Sequence, residues 1–184
     1  RACNDMSNWL QHLPSHLQNT TISVNVSPRQ LQSSDILKDV ENALAESMLP
    51  THNLVIEVTE SAIITDAKGA LQTLNLLKSM GVKLHLDDFG EGYSSLSLLY
   101  RFPFDTMKID RSYVSGLHNN RDNSEVVRTI INLGHSMKNK VIAEGIETSI
   151  EATALRNFKC ELGQGFFFSK PMDEDKALSF IQSN

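Results

Sequence analysis

Cysteine is scarce in this chain: there are two, Cys3 and Cys160, at opposite ends of the sequence. Two thiols so far apart build neither a disulfide framework nor a cysteine metal knot, and a reducing, cytoplasmic setting is the expectation. Long hydrophobic runs are missing too. No apolar stretch approaches the ~20 residues of a bilayer span, and no signal peptide opens the chain. Concentrated positive charge is also absent. The 17 basic residues are scattered and the formal net charge is −5, which excludes polymeric nucleic acid as an expected partner. Glycine-rich phosphate turns do not occur: neither GxGxxG nor GxxxxGK is present, which argues against a dinucleotide-binding open sheet. An initiating Met is lacking. "RACNDMSNWLQHL" reads as the middle of an amphipathic helix with Ala2, Met6, Trp9, Leu10 and Leu13 on one face, so the chain is expected to be a piece of something longer.

What is present is an alternation. Six short aliphatic or aromatic runs recur at 23–27, 54–60, 83–89, 106–112, 140–146 and 164–169. Helical patterns separate them. One follows Ser34, the expected N-cap, with Ile36, Leu37, Val40, Leu44 and Met48 on one face. Another, 66–80, repeats Leu71, Leu74, Leu77 and Met80 and stops at Gly81. A third spans 124–138; "TSIE" at 148–151 has capping-box spacing, and Asp173 caps the last helix. Strand and helix alternating at roughly 25–30 residues predict a parallel sheet covered by helices. The fold class expected is an α/β (β/α)8 barrel, incomplete, with about the last six βα units and two strands lying upstream. Residues 1–184 then form a single barrel domain.

Parallel strands are buried on both faces, so polar interruptions in them need a reason. With a period of two, Asn25, Glu57, Asp87, Lys108 and Glu144 fall opposite the aliphatic residues of five strands, at or near their C-terminal ends. Carboxylates converging at one barrel mouth cannot all ionise without cations. Asn25, Glu57, Asp87 and Asp88 form an all-oxygen ligand set that suits Mg²⁺, Mn²⁺ or Ca²⁺ better than zinc. Adjacent aspartates suit a pair of ions clamping a phosphoryl displacement. Lys108 would then supply a fixed positive charge near a phosphate or nucleophile, and Glu144 would orient or deprotonate a water. Simpler readings exist for each residue alone. Glu57 could be a satisfied buried carboxylate, and Lys108 could pair structurally with Asp110. His85, one step deeper than Asp87, is expected to be a hydrogen-bonded core histidine, and His52, His118 and His135 to lie on the surface or on helices. The run Phe166 to Phe168 is expected to pack in the barrel rather than stack on a base.

Six segments in order, "SVNVSPRQL", "IEVTES", "LDDFGEGYSSL", "FDTMKIDRSYV", "VIAEGIET" and "GQGFFFSKP", resemble the EAL domain family of bacterial cyclic di-GMP phosphodiesterases. The resemblance implies a (β/α)8 barrel that hydrolyses cyclic di-GMP to linear pGpG with two Mg²⁺ or Mn²⁺ ions, Ca²⁺ being a possible inhibitor. It assigns Asn25, Glu57 and Asp87 to the first metal and Asp87 with Asp88 to the second. Lys108 matches the active-site lysine, Glu144 the water-orienting glutamate and Gln164 a glutamine near the water. Glu60 matches the anchor of the loop that carries "DDFG", and Asp110 and Glu147 match polar residues around the site. A homodimer, an upstream sensory or GGDEF-type domain and a parent protein that is membrane-anchored are compatible with it. Two departures stand out. Glu91 replaces the family's usual Thr, and the Glu-Ala-Leu tripeptide with its metal-ligand Glu is absent from the chain. A non-catalytic module of the same family, binding the dinucleotide or a protein, is therefore the alternative to the enzyme; a barrel lyase that stabilises an enolate with Mg²⁺ leaves "DDFGEGYSSL" unexplained.

Overall fold

The computed structural model describes residues 1–90, 96–117 and 121–183. Glu91 and most of the motif after Gly90 lie outside the described residues, as does His118. Six strands, β1 (Ile22–Asn25), β2 (Leu54–Thr59), β3 (Lys83–Phe89), β4 (Thr106–Ile109), β5 (Lys140–Ala143) and β6 (Leu162–Gly163), form one sheet in chain order. Every neighbouring pair is parallel. Helices precede, connect and follow the strands: α1 (Ala2–His12), α2 (Pro28–Leu31), α3 (Ile36–Ser47), α4 (Glu60–Thr65), α5 (Ala67–Ser79), α6 (Leu96–Leu99), α7 (Arg111–Val114), α8 (Arg121–Ser136), α9 (Ser149–Asn157) and α10 (Glu174–Ser183). A parallel sheet whose sequential strands are always neighbours is an incomplete TIM-type barrel, as the alternation predicts. The ends curl toward each other: Gln182 Nε2 of α10 donates to the His12 carbonyl at the end of α1 (3.2 Å).

The aliphatic faces do what period two demands. Ile56, Val58, Leu84, Leu86, Met107, Ile109, Val141 and Ala143 are buried and join Leu74, Leu77, Val127 and Ile131 from the covering helices in one core. At full burial each large aliphatic side chain contributes about 1.5–3 kcal/mol, which fixes the register and therefore the opposite, polar face. Local punctuation holds in several places. Gly81 has φ 90°, Thr148 and Glu151 complete a capping box, and the Lys176 N–H donates to Asp173 (3.1 Å).

Four expectations are corrected. The N-cap of α3 is Asp35 rather than Ser34, without a side-chain cap bond, and Met48 leaves the apolar face as an exposed left-handed C-cap. The sixth strand is the short Leu162–Gly163 pair, not 164–169. Gly165 explains why it ends: a Cβ there would sit 2.1 Å from the Ile146 carbonyl oxygen, so the chain crosses that carbonyl too closely for a side chain and turns. The turn leaves Phe166, Phe167 and Phe168 exposed instead of packed in the barrel.

Candidate metal centre

β3 ends in an irregularity that places both aspartates. Its register with β4 runs through Leu86↔Met107, then shifts before Phe89↔Ile109. A bulge breaks the alternation, so consecutive residues no longer go to opposite faces. Asp88 takes φ 53°, a left-handed conformation that Asp tolerates better than most residues. One oxygen each from Asp87, Asp88 and Glu144 lies within 4.8 Å of the others. Asp87 Oδ1 accepts the Asp88 N–H (3.1 Å).

Lys108 stands at the centre. Its Nζ, on a side chain only 5% exposed, lies 2.8 Å from Glu57 Oε2, 3.0 Å from Asp87 Oδ1 and 2.8 Å from Glu144 Oε1. Strands β2, β3 and β4 and the residue that follows β5 thus each contribute one member of an ion cluster, buried except for the half-buried Glu144. Burial opposes charge on Lys108, but the hydrogen bonds it donates to Glu144, Glu57 and Asp87 outweigh it and raise its pKa. For Glu57, burial pushes upward, while the nearby His85 ring and the Lys108 ammonium bring the carboxyl down to about 2. Asp88 and Glu144 move the other way. Burial raises both, reinforced by Asp87 and Asp110 at Asp88 and by Asp87 and Glu57 at Glu144, against the Lys108 charge. One ammonium does not balance four carboxylates. The surplus negative charge, on oxygen donors alone, fits hard divalent cations.

The remaining expected residues fall around this cluster. Asn25 is exposed at the end of β1, paired in register with Glu57. Glu60 is buried at the start of α4 and accepts the Gly90 N–H (3.1 Å) at the end of β3. Asp110 does not pair with Lys108; it caps α7 by accepting the Ser112 N–H (2.8 Å). Gln164 is exposed, its backbone clipped to Ala143 O and Ile146 N, and it borders a cleft of ≈ 530 Å³ shared with Glu144, Arg111, Ser112, Glu147 and Phe166. That volume lies in the range of small-molecule sites. His85 is buried as expected but not hydrogen-bonded as expected: Nδ1 stays 3.6 Å from Glu57 Oε1 and has no hydrogen-bond partner among the described residues.

Two residues carry contacts that periodicity did not announce. Tyr113, in the one-turn α7, donates its hydroxyl to the Gly90 carbonyl (2.7 Å). Glu151 serves more than its capping box, accepting the Gly116 N–H (2.9 Å) as well as those of Glu147 and Thr148 (3.0 Å each). A four-residue helix has no period to read, and the Gly116 contact spans 35 positions.

The family model for the EAL domain matches residues 1–171. The bifunctional diguanylate cyclase/cyclic di-GMP phosphodiesterase MucR of Pseudomonas aeruginosa is 37% identical over 180 residues, which are 98% of this chain and 26% of MucR. The chain spans about a quarter of the length of the curated relatives it matches. Among solved structures, the PaMucR phosphodiesterase in complex with c-di-GMP superposes with TM-score 0.91 at 37% identity, covering 96% of this chain and 70% of that one. Klebsiella pneumoniae BlrP1, in a manganese/cyclic di-GMP complex, gives TM-score 0.80 at 32% identity, covering 91% of this chain and 44% of that one. With its ordered motifs, its six-stranded barrel segment and a family match over almost its whole length, the chain belongs to the EAL domain family.

Proposed function

We propose that the domain to which this chain belongs hydrolyses cyclic di-GMP to linear pGpG with the help of two divalent cations, Mg²⁺ or Mn²⁺. The observation that carries the proposal is the convergence of Asp87, Asp88 and Glu144 oxygens within 4.8 Å, with Lys108 against two of them. Asn25, Glu57, Asp87 and Asp88 are the residues that would hold the ions. When bound, such ions neutralise a phosphodiester and make a water more acidic. Lys108 fixes the spacing of Glu57, Asp87 and Glu144 and presents positive charge to a phosphate oxygen. Glu144, whose pKa is raised by burial, accepts the proton of the attacking water. The water oxygen bonds to phosphorus as the P–O3′ bond breaks opposite it, and the released 3′ oxygen gains a proton. Gln164 borders the cleft and orients water or substrate, while Asp110 shapes the site by capping α7, and Glu60 steadies Gly90. The structures of MucR and BlrP1 in complex with cyclic di-GMP support the substrate.

The absence of Glu-Ala-Leu keeps a second reading in view, a module that binds the dinucleotide without cleaving it. Incubation with cyclic di-GMP and Mn²⁺, followed by chromatography of products and by calorimetric binding, separates the two. We expect pGpG, reduced by orders of magnitude in Asp87→Asn. Binding without product would establish the receptor instead.

A further inference from the structure

Gly90 closes the strand that bears Asp87 and Asp88, and both of its backbone polar groups are taken by side chains from other elements. Glu60 of α4 accepts its N–H, and the Tyr113 hydroxyl of α7 donates to its carbonyl. The backbone here is unusual on either side of Phe89: Asp88 has φ 53° and Gly90 φ 111°. Such conformations persist only where their surroundings hold them. The Tyr113 ring also packs against Gly90, since a Cβ at that position would come within 2.8 Å of Tyr113 Cε2. Behind Tyr113 the support continues. Asp110 caps α7 and lies two residues after Lys108, so a short, hydrogen-bonded path joins the end of β4 to the end of β3.

We propose that Tyr113 is a positioning residue of the metal centre, whose hydroxyl, through the Gly90 carbonyl, fixes the strand end that presents Asp87 and Asp88. The inference rests on the two-metal reading above. It adds that Tyr113 and Glu60 act as a pair on one residue, Gly90, Glu60 holding its N–H and Tyr113 its carbonyl. Loss of the hydroxyl leaves the ring contact and the core in place but frees the Gly90 carbonyl. The two aspartates then sample more than one arrangement, and the ions bind less well.

The test is Mn²⁺ binding to this chain, followed by electron paramagnetic resonance titration, with amide hydrogen exchange at Gly90 and thermal melting on the same samples. Tyr113→Phe should weaken Mn²⁺ about fivefold, the worth of one neutral hydrogen bond, and accelerate Gly90 exchange by a similar factor. Combined with Glu60→Ala, the effects on Mn²⁺ should be non-additive, because both variants loosen the same residue, Gly90. Unchanged Mn²⁺ affinity in Tyr113→Phe overturns the role, including the case in which only the melting temperature falls, since the contact is then merely structural. A parent chain that takes up no Mn²⁺ overturns the two-metal reading itself, and the positioning role with it.

Discussion

Glu57 shows how a charged group is kept inside a barrel. Its side chain is 8% exposed, yet its carboxyl is held near 2 because Lys108 and His85 stand against it in spite of burial. A carboxylate whose pKa is depressed in the folded chain stabilises it above the unfolded value, and that stabilisation is lost as the pH falls through the folded value. From 4.5 to about 2, at 1.36 kcal/mol per unit, the contribution is about 3 kcal/mol. In urea unfolding in a chelating buffer, this contribution should be complete above pH ~5 and decline from there toward pH ~2. In Glu57→Gln that part of the decline should vanish, leaving the variant weaker than the parent at pH 7 and equal to it near pH 2. Lys108→Met has a different signature. Removing the ammonium leaves three carboxylates facing one another, and breaking a buried ion cluster from one side costs about 3–5 kcal/mol. Added Mn²⁺ should restore part of the melting temperature of Lys108→Met, because a divalent ion can take over the neutralisation.

At the scale of elements, what recurs is a side chain reaching from one crossover to the backbone of the next. Asp105, just before β4, accepts the Leu84 N–H of β3 (2.9 Å) and pairs with Lys78 at the end of α5. Glu151 at the start of α9 accepts the Gly116 N–H beyond α7, where φ is 67°. Burial opposes ionisation of Glu151, but the N–H groups of Glu147, Gly116 and Thr148 outweigh it and lower its pKa. Glu151→Ala strips three donors of their acceptor, and with charge-assisted bonds and a cap removed together the loss should be about 2–4 kcal/mol, measured by urea unfolding at pH 7. Glu151→Gln should retain part of this, since an amide oxygen still accepts. These links mark the boundary of what the sequence could announce. The alternation of strands and helices was legible because burial on both faces leaves period two and period 3.6 in the residue order, and β2 to β5 begin where those periods place them, although β4 stops at Ile109 and β5 at Ala143, short of the runs that reach 112 and 146. The polar strand ends at Glu57, Asp87, Lys108 and Glu144 were legible for the same reason. The bulge that turns Asp88 toward Asp87 was not, because a register shift is a relation between two strands. Nor was the loss of the "QGFFFS" strand: three phenylalanines signal β structure locally, and the close crossing of Gly165 over Ile146 that prevents it is a tertiary contact.

For the molecule as a whole, the consequence of a six-stranded parallel sheet lies at its edges. β1 alternates half-buried and exposed residues and β6 is exposed at both positions, whereas β2 and β4 are buried almost throughout. Beside β6, Leu162, Phe166, Phe167 and Phe168 are 46%, 57%, 44% and 51% exposed, and Phe180 of α10 adds a further 42% exposed ring. Contiguous apolar surface next to unpaired strand edges drives association between copies, because each copy buries both kinds of liability at once. The charge of −5 opposes this only weakly at physiological salt, where its field is screened beyond about 8 Å. The chain should therefore sediment with a weight-average mass that rises with concentration and rises further as salt is added. Replacing two of the exposed rings with charges, in Phe167→Glu together with Phe168→Lys, should lower the mass toward the monomer without moving the thermal midpoint by more than a few degrees, since neither ring is part of the core. The same variant separates the edge from the metal centre. Its Mn²⁺ affinity should match that of the parent chain, because the carboxylates and Lys108 are fixed by β2 to β5, which the substitution leaves untouched. A mass that stays concentration-dependent in the double variant would move the adhesive surface away from β6 and α10, and the exposed edge of β1 would be the next place to introduce a charge.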